Sequence, residues 1–179
     1  MDAQLALAAV VFEPGASADA VIASALEPFD SAELLGWLQW HETDAGCDCH
    51  DIVLRPLQGG SARKITQDLG PGATGCRLDS SALTEVAGWL MAGLEAGPRL
   101  VVLNRFGKAE AEGGGLRGVL EQAIGQGIPV LLAVNRRQLG FWREFAGDLA
   151  QELPCDSQAI RTWVSGVLAQ PCSMVKTVA

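Results

Sequence analysis

The sequence predicts a three-layer α/β fold: a mainly parallel β-sheet with helices on both faces and a β-hairpin inserted early, all within one domain spanning residues 1–179. Three observations carry that prediction. Short apolar runs, QLALAAVVF, RLVVLN and IPVLLAVN, read as strands buried on both faces. They alternate with segments whose apolar residues recur at helical spacing. The least regular stretch, 41–79, holds two strand-like pieces around a pair of glycines.

In order along the chain, residues 4–12 form the first strand, ending in Val10, Val11 and Phe12. A turn, EPGAS, leads into the helical ADAVIASALEPF, which Pro28 stops and which Ser17 or Asp19 is placed to cap. AELLGWLQW, 32–40, is a second strand. DIVLRPL and ARKITQDL then flank QGGS as a hairpin with a glycine turn. From residue 80 the residues Leu83, Val86, Ala87, Leu90, Met91 and Leu94 mark a helix capped by Asp79 or Ser80 and ended by Gly97 and Pro98. A strand at 99–104, a helix at 115–126 and a strand at 128–134 follow. A helical region places Leu139, Trp142, Phe145, Ala146 and Leu149 on one face, Pro154 breaks it, and a last helix surrounds AIRTWVSGVL. Ligands of such sheets bind outside the carboxyl ends of the strands, so FEPGASAD, NRFGKAE and NRRQ are expected to meet in one crevice.

A chain of 179 residues can bury about 70% of its unfolded surface, and 49% hydrophobic with 19% charged residues is an ordinary globular composition. Its net charge of −8, from 21 acidic against 13 basic residues, argues against nucleic acid or an anionic membrane as the main partner and leaves a small anionic ligand with local compensation. The first apolar run is preceded by no Lys or Arg and is too short to cross a bilayer, so no membrane insertion and a cytoplasmic location are expected. Five scattered cysteines point to reduced thiols.

The opening strand, turn and helix have the layout of a phosphate-binding loop, G-x-x-x-x-G-K-[ST], in which backbone N–H groups and a lysine hold phosphates. Here Phe12 and Ser17 stand at the glycine positions, Ala18 at the lysine and Asp19 at the hydroxyl. Glu13 and Asp19 add negative charge, and a carboxylate about 5 Å from a phosphate costs about 3 kcal/mol at an effective dielectric near 20. A triphosphate would then need a divalent metal between them. Two G-x-G-x-x-G patterns, Gly70–Gly72–Gly75 and Gly113–Gly115–Gly118, lack the acidic residue that would hold a ribose and read as turns. Cys47, Cys49 and His50 in CDCH, with His41 and Cys76 beyond, are candidate metal ligands, although C-x-C-H lacks the spaced pairs of a zinc ribbon and a loop that merely carries thiols is preferred. No G-x-S-x-G elbow is present, and both histidines fall inside 41–50, which disfavours a nucleophilic triad. Trp37, Trp40 and Trp142 admit a homodimer surface or core burial, and core burial is preferred.

LVVLNRFGKAEAEGGGLRGVLEQAIGQGIPVLLAV, 100–134, resembles the second half of the thermophilic-type nucleoside-triphosphatase domain, where an apolar strand ends in Asp-Glu, continues Gly-Lys-x-Glu and passes through glycine into a helix. The whole chain, with QDLGPGATGCRLD, NRFGKAEAEGGGLR and FWREFAGDL, is similar to a bacterial family of unknown function often found beside molybdate-transport components. The resemblance implies a P-loop-NTPase-like fold that binds a nucleotide or a small oxyanion such as phosphate or molybdate. Against the triphosphatase pattern, Asn104 and Arg105 replace the acidic pair and Ala18 the lysine, so ordinary hydrolysis is not expected. The candidate ligand-binding set is Glu13, Ser17, Asp19, Asn104, Arg105, Lys108, Glu110, Arg117, Asn135 and Arg136. Two alternatives stay open: a triphosphatase with a non-standard site, in which Glu13 or Asp19 holds a cation and Lys108 or Arg136 steadies the transferred group, and a metal-binding protein using the CDCH cluster.

Overall fold

In the computed structural model, residues 6–43, 50–67 and 78–170 are described. Seven strands form one sheet in the order β4-β3-β2-β5-β6-β1-β7. They are β1 (Leu7–Phe12), β2 (Leu34–Thr43), β3 (His50–Pro56), β4 (Arg63–Lys64), β5 (Leu100–Phe106), β6 (Val130–Asn135) and β7 (Ala150–Pro154). β2, β5, β6, β1 and β7 run parallel, and β3 and β4 extend the sheet antiparallel. The helices are α1 (Ala18–Leu26), α2 (Ser80–Leu94), α3 (Lys108–Ala111), α4 (Arg117–Gly125), α5 (Leu139–Ala146) and α6 (Ser157–Ala169).

The central strands are buried on both faces, as their unbroken apolar runs require: Val101, Val102, Val130, Leu131, Leu132, Ala133 and Val134 have no exposed surface. One face packs against α2, α4 and α5 through Leu90, Leu120 and Trp142. The other packs against α1 and α6 through Ile22, Ala25, Ile160 and Val164. Asp79 caps α2, its carboxylate accepting from the backbone N–H groups of Ser81 and Ala82, and Gly97 closes the helix at φ +67°.

The expected three-layer sheet is present, with differences of detail. Among the described residues of ARKITQDL the strand is Arg63–Lys64, and β3 pairs chiefly with β2, from Trp37↔Pro56 to Thr43↔His50. The break at Pro154 is the end of a strand, β7, which has one buried residue, Leu153, because it closes the sheet as an edge. Leu149 does not share the face of α5. The helix stops at Gly147, and Leu149 sits 63% exposed in a 3-10 turn. Trp37 and Trp142 are buried as preferred, and Trp40 is partly covered beneath the Arg55 guanidinium. No helix among the described residues is long and apolar enough to cross a membrane.

β2 and β5 approach unusually closely at Gly36, where a Cβ would stand 2.2 Å from the Val102 carbonyl oxygen. Gly36→Ala is therefore expected to lower the unfolding free energy by about 3 kcal/mol, since the obstacle is backbone and cannot swing aside. Gly88→Ala, on the exposed side of α2 with nothing near, should raise it by up to about 1 kcal/mol. Urea unfolding of the two variants checks both signs.

Candidate functional site

The chain leaves β1 toward the α1 face of the sheet and leaves the neighbouring β6 toward the α5 face. That divergence opens a crevice at the carboxyl ends of adjacent strands, where α/β sheets place their ligands. The β1 exit, EPGAS, turns through Gly15 at φ +89° and delivers α1 with its amino end at the crevice. Ser17 occupies the N-cap position but, contrary to expectation, its side chain makes no capping bond; the carboxylate in the first turn is that of Asp19, which its own backbone N–H also favours. The first turn of α1 thus has no acceptor from the Ser17 side chain, and the helix dipole puts partial positive charge there beside the Asp19 carboxylate.

Asp19 is directed elsewhere. It is 3% exposed, and its carboxylate accepts from the Gln39 backbone N–H at 2.7 Å and from the Arg105 guanidinium at 3.2 Å. Burial pushes this carboxyl above its ordinary value, against the opposing pull of the Gln39 N–H and of Arg105. Arg105 also lies 5.4 Å over the Phe12 ring. It reaches Asp19 because β5 carries a bulge. The pairing runs Leu103↔Leu132 and then Phe106↔Val134, so three steps on β5 match two on β6, with Asn104 and Arg105 in the extra length. The inserted residue reverses the alternation. Phe106 enters the α5 core against Trp142 and Phe145, each at 5.2 Å, while Arg105 emerges on the α1 side. Asn104 is buried in the same bulge.

Across the crevice, Arg136 from the β6 exit makes an ion pair with Glu13 from the β1 exit, both largely exposed. Asn135 shapes that exit by accepting from the Arg137 N–H at 3.0 Å. The structure therefore brings Glu13, Ser17, Asp19, Arg105, Asn135 and Arg136 to one place. Glu110, Arg117 and Lys108 have other surroundings. The 9%-exposed Glu110 accepts from the Gly107 and Leu116 N–H groups at 2.9 and 3.0 Å, a clasp that closes the glycine loop. Arg117 bonds Glu121 and the carbonyls of Glu110 and Ala111. Lys108 pairs with Glu112 and, with Arg117, lines a cavity whose walls include none of the crevice residues. Cys47, Cys49 and Cys76 lie outside the described residues, as does the side chain of His50; among the described residues no three His, Cys, Asp or Glu groups gather as for a metal.

The two Arg–carboxylate pairs differ in strength. The Glu13–Arg136 pair is solvated, with side chains 62% and 58% exposed, and contributes about 0–1 kcal/mol. In the Asp19–Arg105 pair the carboxylate is sealed while the arginine is 37% exposed, so separating them costs about 2 kcal/mol or more. An incoming anion can take Arg136 from Glu13; Arg105 stays with Asp19.

A three-layer sheet of this order, with a helix head at the β1 exit, is a P-loop-NTPase-like fold. The crystal structure of THEP1 from the hyperthermophile Aquifex aeolicus matches it with a TM-score of 0.63 over 91% of this chain and 99% of that one, at 11% identity. The chain belongs to the family described as protein of unknown function (DUF2478), whose model matches residues 7–163. Molybdenum import ATP-binding protein ModC 2 of Bradyrhizobium diazoefficiens is 32% identical over 159 residues, which are 88% of this chain and 18% of that protein. The chain thus spans less than a fifth of that relative's length.

Asp19→Ala is expected to lower the unfolding free energy by about 3 kcal/mol, because it strands the Gln39 N–H and the Arg105 charge. Asp19→Asn, which keeps an acceptor, should cost less. The native carboxyl holds its proton more tightly than the unfolded one. Wild-type stability relative to Asp19→Asn therefore falls as pH rises from 3.8 to the raised native value, and is level above it. Urea titrations from about pH 3 to about pH 8 read this directly, and a wild-type advantage that grows with pH would contradict it.

A second prediction concerns the clasp. Gly115 has φ +58°, and a Cβ there would come within 2.0 Å of Glu110 Oε1. Gly115→Ala should destabilise by about 2 kcal/mol, combining a strained backbone with a displaced carboxylate. Thermal melts should show a smaller loss when Glu110→Ala is already present, since that variant removes the clash and leaves the backbone strain.

Proposed function

We propose that this protein binds the phosphate part of a nucleotide, or a small oxyanion such as phosphate or molybdate, at the head of α1 and does not hydrolyse it, serving as an accessory protein in molybdenum metabolism. One observation carries the reading: α1 begins without a cap from its N-cap side chain at the divergence of β1 and β6, beside an arginine whose ion pair, among the described residues, is the exposed one with Glu13. The ATP-binding role in the name of the ModC 2 relative supports a nucleotide and the molybdenum setting.

The charges at the site support the reading without hydrolysis. A triphosphatase needs a lysine on the phosphates and acidic groups for Mg²⁺ and water. Here Ala18, Asn104 and Arg105 stand at those positions, and Asp19 is engaged with two donors. Glu13, once Arg136 turns to the ligand, is the carboxylate placed to meet a divalent cation travelling with a nucleotide.

Calorimetric titration with orthophosphate, molybdate, tungstate, ATP and Mg-ATP tests this. At least one should bind more tightly than about 1 mM, and Arg136→Ala should weaken it about tenfold or more, the worth of a charge-assisted hydrogen bond. Phosphate release should stay at background. No binding at 1 mM to any of these ligands would overturn the reading, as would ATP turnover that Arg136→Ala abolishes.

A further inference from the structure

One cavity outside the crevice combines an open aromatic face with an unspent charge. It measures about 550 Å³ and lies between α3 and the outer side of α5, within the range of small-molecule sites. Phe141 and Phe145, one helical turn apart on α5, both line it. Phe145 is held in place by Phe106 at 5.2 Å and by the Arg117 guanidinium at 4.9 Å. Phe141 is 50% exposed, a large apolar ring that nothing in the described chain covers.

The charged groups on the walls are not equivalent. Lys108 is balanced by Glu112 in an exposed pair at 3.6 Å that a ligand could also open, and Arg117 is occupied by Glu121 at 2.7 Å and by two carbonyls. Glu144 remains: among the described residues it has no ionic partner. It stands three residues from Phe141 on the same helix, so the two side chains are surface neighbours. An occupant must therefore offer a flat face to Phe141 and N–H donors to an acceptor-only carboxylate.

A carboxylate accepts two parallel donors through its two oxygens. The Watson–Crick edge of guanine presents N1–H beside an exocyclic amine. Adenine presents an amine beside a ring nitrogen, whose lone pair would face a carboxylate oxygen. We propose that this groove holds a guanine base, its face on Phe141 and its donor edge on Glu144. The proposal rests on the reading of the crevice as a nucleotide's phosphate site; the groove's walls, α3 and α5, follow the exits of β5 and β6 in the chain. Phe141 lies five residues beyond Arg136, and Lys108 three beyond Arg105, at the same end of the sheet.

Guanosine, which has no phosphate, tests the groove alone, and inorganic tripolyphosphate tests the head of α1 alone. Guanosine should bind saturably in calorimetry and more tightly than adenosine. Phe141→Ala should weaken it about tenfold, as loss of a stacking ring does. Glu144→Gln should erase the preference for guanosine, and tripolyphosphate affinity should be unchanged in both variants. Both side chains are exposed, and thermal melts matching the wild type confirm that the fold is intact. Absence of guanosine binding, equal affinity for adenosine, or binding indifferent to Phe141→Ala would each overturn the proposal. Guanosine binding without tripolyphosphate binding would overturn the phosphate reading and leave the groove standing.

Discussion

A single buried carboxylate organises the carboxyl end of this sheet. Asp19 begins α1, receives the backbone of β2 through Gln39 and the side chain of β5 through Arg105, and so ties three elements that are remote in sequence. A charge this deep is tolerated only when its oxygens are satisfied, and the raised proton affinity shows that the two donors do not fully offset the loss of water. The same contact decides the character of the crevice. It balances Arg105, leaves Arg136 in a solvated pair with Glu13, and engages the carboxylate at the position where a P-loop has its hydroxyl.

The bulge in β5 makes that arrangement geometrically possible. A regular strand would turn Phe106 toward α1 and take it out of the aromatic cluster with Trp142 and Phe145. One extra residue lets the strand serve both faces, with a ring for the core on one side and a guanidinium for Asp19 on the other. Packing and site are therefore not independent. Shortening the bulge would misplace both.

Much of this architecture was legible in the sequence. The runs ending at Phe12, Leu103 and Val134 are buried strands, Asp79 caps α2, and the exits after β1 and β6 do converge. The misses have physical causes. β7 carries no apolar run because an edge strand needs only one buried side chain. The bulge leaves no mark in composition, since its signature is a change of register against a partner strand. Asp19 and Glu110 look like surface carboxylates ready for a ligand; Asp19 instead accepts from a backbone amide 20 residues away and from Arg105, and Glu110 from amides within its own glycine loop. Long-range backbone donors are invisible to motif reading. The groove beside Phe141 left no sign in the sequence because it forms only where α3 lies beside α5, elements far apart in the chain.

Past Gly36, β2 has β3 on one side and, among the described strands, none on the other. The inner half of the hairpin is thus a sheet edge that faces the protein instead of solvent, and a buried edge must have its amides satisfied. Asp19 meets the Gln39 amide there with a side chain where another fold would use a strand. A joint of that kind is sensitive to a single proton in a way that a ladder of backbone bonds is not. The boundary between the parallel sheet and its hairpin is therefore joined by a side-chain carboxylate at the head of α1 where the neighbouring strands are joined by paired backbone.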